Sequence, residues 1–172
     1  MSSNVLLLMG SFILLGFFTL TTNTSLIRNQ QLSMESEYII TATGIAQEVI
    51  EEAKTKAFDQ TTVSAAVTNS GNLTAPGSLG PDSGENMTLP ETQKTGIWLS
   101  AERYNDIDDY NKYRRVVSTP KIDYNVSVVV AYVNPTSPDT YPASRTWAKR
   151  MTVTVTSTYL TFPVVLDFVF VY

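Results

Sequence analysis

The sequence predicts an α+β fold: a long N-terminal helix projects from a globular head, and its C-terminal half packs on a four-stranded antiparallel sheet. Three observations predict it. Residues 5–20 are apolar apart from Gly10, Ser11, Gly16 and Thr19, and no charged side chain occurs before Arg28. From Leu26 the pattern turns amphipathic without a break, the first Pro being Pro76. Residues 113–172 then alternate apolar and polar positions in short runs separated by Pro, the mark of half-buried strands.

The N-terminal segment comes first. A membrane-spanning helix needs about 20 apolar residues, and 5–27 reaches that length if the neutral Thr21–Ser25 stretch is included. A cleaved secretion signal fits less well. No Lys or Arg precedes the apolar run, and no Ala-x-Ala pattern follows it. Residues 1–27 are therefore read as a hydrophobic assembly or membrane helix. Leu6, Leu8, Phe12, Leu15, Phe17 and Phe18 are its candidate packing residues. Gly16 followed by the weak helix formers of "TTNTS" predicts that the helix loosens somewhere between Gly10 and Ser25 once assembled.

The head is expected over 28–172. In 28–58, Ile39, Ala42, Ala46, Val49, Ala53 and Ala57 recur at helical spacing, flanked by Ile45 and Ile50, with Glu and Lys filling much of the rest. One helix is therefore expected from about Val5 to Phe58. At about 1.5 Å per residue it is roughly 80 Å long, whereas a compact domain of this size is about 30–40 Å across. Residues 59–112 form the loop region, its 60–96 part rich in Thr, Ser, Gly and Pro. The sheet follows over 113–172, with strands expected at 113–118, 123–134, 148–160 and 164–172. One face carries Tyr124, Val126, Val128, Val130 and Tyr132, then Met151, Val153 and Val155, then Leu166, Phe168, Phe170 and Tyr172. Strands without intervening helices imply an antiparallel meander with one buried face.

Composition narrows the chemistry. The 172 residues contain no Cys and no His. Disulfides, thiolate metal sites, cysteine nucleophiles and a Ser-His-Asp triad are all excluded. An enzyme would have to work through carboxylates or Lys alone, and the expectation is that this is not one. A net charge of −4 gives no basic surface for nucleic acid.

Three sets of residues remain as candidate sites. In "NDIDDYN", Asp106, Asp108 and Asp109 stand beside Asn105 and Asn111. Such oxygens suit a hard cation such as Ca²⁺, though the spacing is not that of an EF-hand. The other reading is a solvated acidic turn paired with Arg114 or Arg115. No other cofactor is expected. Asn-x-Ser/Thr sequons stand at Asn23, Asn72, Asn86 and Asn125. Asn72 and Asn86, in the loop, are the candidate glycosylation acceptors, since Asn23 falls on the helix and Asn125 in a strand. Trp98, Tyr104, Tyr110, Tyr113 and Trp147 are read as core or subunit interface.

This layout, with "GPDSGENM" and "ERYNDIDDYNKYRRVV" ahead of the sheet, resembles a type IV pilin or pilin-like filament subunit. The chain departs from that family at two points. It opens Met1-Ser2-Ser3 with no basic leader ending in Gly, and its fifth residue is Val5 rather than Glu, the first acid being Glu35. The resemblance implies a structural subunit that polymerises with copies of itself through residues 1–27. It implies passage through the inner membrane as a single-span precursor, partnership with a pilus assembly machinery, and an extracellular filament at the cell surface. The alternatives are a membrane-tethered pseudopilin or minor pilin of a secretion or pilus machine, and a surface adhesin that binds through loop 60–96.

Overall fold

The computed structural model describes residues 2–93 and 96–172. Met1 lies outside the described residues, as do Lys94 and Thr95 of the expected 60–96 loop. The fold is α+β, as the sequence predicts. Helix α1 runs Ser2–Lys54. The chain divides into two units, Met1–Tyr38 and Ile39–Tyr172, so the helix contributes its last turns to the second.

Helix α1 ends four residues before the expected Phe58. Its last turn closes with Thr55 and Lys56 amides on Glu52 and Ala53 carbonyls. Ala57 then leaves the helix because its backbone is taken by another segment: its N–H donates to Asn105 and its carbonyl accepts from Ile107. Asp59 caps the next short helix, α2 (Gln60–Ser64), through a capping box with Thr62.

The sheet differs from the expected four antiparallel strands. Among the described residues it has five, in the order β1 (Glu91–Thr92), β2 (Arg114–Ser118), β3 (Asp123–Tyr132), β4 (Ala148–Thr156) and β5 (Val164–Val171). Strands β2 to β5 form the antiparallel meander. Strand β1 adds a parallel edge, pairing Glu91 with Arg115 and Thr92 with Val116. It comes from the region read as loop, where two paired residues are too few to show a period.

The expected inward face is observed on β3 and β4, whereas on β5 only Phe170 is buried, Leu166 and Phe168 being half-buried and Tyr172 exposed. Tyr124, Val126, Val128, Val130 and Tyr132 are buried on β3, as are Met151, Val153 and Val155 on β4. The helix supplies Ala42, Ile45, Ala46, Val49, Ile50 and Ala53 to this core, while Ile39 stays exposed. Lys54 Nζ lies 4.3 Å from the ring centre of Phe168 on β5. Arg115 of β2 reaches Glu48 and Glu52 of the helix at 3.3 and 3.7 Å. Its guanidinium relieves the repulsion of two carboxylates one turn apart. Tyr172 is tied down: its N–H donates to the Trp147 carbonyl, its hydroxyl accepts from Val67, and its ring stacks on Trp147.

Candidate functional site

The N-terminal segment is built from sequence that leaves every side of a helix apolar. Leu6, Leu8, Phe12, Leu15, Phe17 and Phe18 lie on all sides of α1 and are 58–71% exposed. Val5, Leu7, Ile13, Leu14, Leu20, Leu26 and Ile27 are exposed as well. A helix apolar all round is stable only when enclosed. Burying six such side chains is worth on the order of 10 kcal/mol. The helix is long and apolar enough to cross a membrane.

Five hydroxyls of the segment are already satisfied. Thr19, Thr21, Thr22 and Thr24 turn their hydroxyls back onto the carbonyls of Leu15, Phe17, Phe18 and Leu20, at 2.8–2.9 Å. Ser11 does the same to Leu8. Such back-bonding lets hydroxyl residues enter an apolar medium without an orphaned donor. The helix is continuous through Gly10–Ser25, the stretch expected to loosen on assembly.

The acidic segment is not a solvated turn. Asp106, Asp108 and Asp109 are all buried, and their partners are neither Arg114 nor Arg115. Asp106 Oδ1 accepts the backbone N–H groups of Asp108 and Asp109. Asp109 Oδ2 accepts those of Asn105 and Asp106. Asp108 Oδ1 accepts from Lys149 Nζ at 2.5 Å. The carboxylates thus fold the segment onto itself and onto β4. Among the described residues, no group of three acidic side chains is placed to hold a metal ion.

Lys149 is the centre of this cluster, and neither it nor Asp59 is among the candidate residues named from the sequence. Its Nζ donates to Asp108, to Asp59 Oδ2 at 2.7 Å and to the Phe58 carbonyl at 2.8 Å. Asp59 also accepts from Thr61, Thr74 and the Tyr132 hydroxyl. One signal does point to the lysine. Lys149 has the same parity as Met151, Val153 and Val155, so the strand pattern places a Lys inward, where a partner is obligatory.

Electrostatics follows from burial. Desolvation pushes Asp106 up to about 8, reinforced by the neighbouring Asp108 and Asp109 charges. It pushes Asp108 up to about 7 against the opposing pull of Lys149, and Asp109 up to about 6. Burial also raises Asp59, but the Lys149 ammonium and the Thr61 and Thr74 bonds outweigh it and hold the carboxyl below its usual range.

These shifts set a pH dependence. Asp106 and Asp109 hold protons in the fold that the unfolded chain, titrating near 3.8, has released. Their contribution is complete below that value and is lost as pH rises through about 6 and about 8. Each costs up to about 1.4 kcal/mol per pH unit within its window. Asp59 has the opposite sign: its contribution is present above 3.8 and lost below. Thermal melts should therefore show maximal stability near pH ~4–5 and a fall of several degrees towards pH ~8. A melting temperature that holds level or rises over that interval contradicts this account.

The other candidates divide. Asn72, at the end of a 3₁₀ turn (Ser70–Asn72), and Asn86 are both exposed. Asn23 and Asn125 are exposed too, the latter on the outer face of β3. Trp98, Tyr104, Tyr110 and Tyr113 are buried, and the three tyrosines meet edge to face with ring centres 5.0–5.9 Å apart. Trp147 is half-buried. No protein-family model, curated protein or solved structure matches the chain.

Proposed function

We propose that the chain is the structural subunit of a type IV pilus-like filament, polymerising through residues 1–27 and displayed outside the cell. One observation carries this reading: N-terminal to the amphipathic stripe, the same unbroken helix becomes apolar on every side and is exposed throughout. Lipid satisfies such a segment before assembly, and copies of the same helix satisfy it afterwards. Each copy meets its neighbours through different surfaces on its two sides, the arrangement that generates an open helical polymer. With no acidic side chain in the first 34 residues, packing rather than a buried carboxylate–amine pair drives association.

The test is negative-stain microscopy of material sheared from cells that produce the full chain. Long fibres in which this chain is the main component support the proposal. Recovery only from detergent-solubilised membrane, with no fibres, replaces it with the membrane-tethered pseudopilin reading. Fibres made of other chains, decorated by this one at their tips, favour the adhesin.

A further inference from the structure

We propose that Lys149 and Asp108 condense into an intramolecular amide, a cross-link between β4 and the turn at Asp108–Tyr110, with Asp59 carrying the proton. The arrangement brings together what such a condensation requires. The amine and both carboxyls are sealed from solvent, with side-chain exposures of 0% for Lys149 and Asp59 and 2% for Asp108. Phe58 and Tyr132 form the wall, their ring centres 4.5 and 5.1 Å from Nζ. Nζ is 2.5 Å from Asp108 Oδ1. Attack requires Nζ to reach the carbon behind that oxygen, at a near-attack separation of about 3–3.5 Å, and the contact at Oδ1 leaves it one bond away from that carbon.

The protonation states also suit the reaction. Asp59 accepts many donors and is ionised, whereas burial favours the acid form of Asp108. A carboxylic acid is the better electrophile of the two. Asp108 Oδ2 is buried and accepts no hydrogen bond, and it is the oxygen that would depart. Asp59 Oδ2 faces Nζ at 2.7 Å and is held by the Tyr132 hydroxyl at 3.1 Å.

The step balances without an added reagent. The Lys149 ammonium passes one proton to Asp59 and becomes an amine. Its nitrogen lone pair forms a bond to the Asp108 carboxyl carbon. A second proton moves from nitrogen to the Asp108 hydroxyl, the C–O bond breaks with its electron pair going to oxygen, and one water leaves. The products are a neutral amide, water and a protonated Asp59, which returns its proton to solvent. There is no change of oxidation state. The link would close a loop spanning 41 positions in a chain that has no Cys to make a disulfide.

The experiment is mass spectrometry of the full chain as purified from cells, unfolded and digested with trypsin. Cleavage after Arg103, Lys112, Arg145 and Arg150 is expected to yield one branched peptide joining 104–112 to 146–150, lighter than the two together by one water, with Lys149 uncleaved. Fragmentation should place the branch at Asp108. In Asp59→Asn, which keeps the shape and removes the proton carrier, most of the chain should remain unlinked, and in Lys149→Met all of it. Separate, unmodified peptides from the wild-type chain overturn the proposal, and so does a missing water mapped to any other pair. Complete linkage in Asp59→Asn overturns the role given to Asp59.

Discussion

Replacing Lys149 by Met is expected to cost about 3–5 kcal/mol, the loss typical of removing one partner from a buried ion pair. For a unit of this size that lowers the melting temperature by roughly 10–20 °C. Met fills much of the volume, so the loss comes from charge and hydrogen bonds rather than from a cavity. Three acceptors lose their donor at once: Asp59, Asp108 and the Phe58 carbonyl. Asp59 suffers most, because its ionised form is sustained by that ammonium. Without the ammonium, burial is opposed only by the Thr61 and Thr74 hydrogen bonds, and its pKa rises. A raised carboxylate contributes stability that is lost as pH increases. The variant's deficit should therefore shrink in acid and widen towards neutral pH. Circular dichroism melts at several pH values read both effects. A loss below about 1 kcal/mol would show that the cluster is dispensable, since replacing a buried pair by apolar groups is neutral only when both partners go. These figures describe the unlinked chain, in which Lys149 is an ammonium; where the amide has formed it replaces the ion pair, and Lys149→Met then costs the cross-link instead.

The fold is legible in the sequence where a short period governs it. The inward parity of β3 and β4, and the Ala-rich stripe from Ala42 to Ala53, follow from spacings of two and of three to four residues, and these positions form the core. What is not legible depends on partners distant in sequence. Helix α1 stops at Lys54 because residues 105–107 capture the backbone of Ala57, some fifty positions away. Strand β1 exists because β2 offers an edge, and Glu91 is fixed by the Leu99 amide and the Tyr113 hydroxyl. The acidic segment reads as solvated because its cation is on β4, 41 positions later. Lys149 is nevertheless readable by parity, since a charged residue in the inward column of a strand marks a buried cluster by sequence pattern alone. Its second partner, Asp59, is not readable, because an N-cap on a five-residue helix gives no hint of a Lys ninety positions on.

A chain beginning at Arg28 is expected to remain soluble and monomeric, to keep its sheet, and to form no fibres. The globular unit, Ile39–Tyr172, holds its own core: the buried helix residues begin at Ala42, and the strands supply the rest. Residues 5–27 add nothing to that core, their large apolar side chains being more than half exposed. Removing them takes away the helix segment apolar enough to span a membrane, so the shortened chain should also leave the membrane fraction. The complementary change keeps the length and alters one side chain. Phe12→Asp places a charge in the middle of the apolar run, 65% exposed in the isolated chain but dry in a bundle or bilayer, at a cost of several kcal/mol for each copy. Its effect on the melting temperature of the globular unit should be close to zero, while fibre formation is lost. Sedimentation, membrane fractionation and circular dichroism separate the two effects. Should the shortened chain aggregate or lack β-structure, residues 1–27 would be part of the core, and a segment reserved for assembly would be the wrong description. Fibres of normal abundance from Phe12→Asp would place the contacts between copies elsewhere, on the surface of the globular unit.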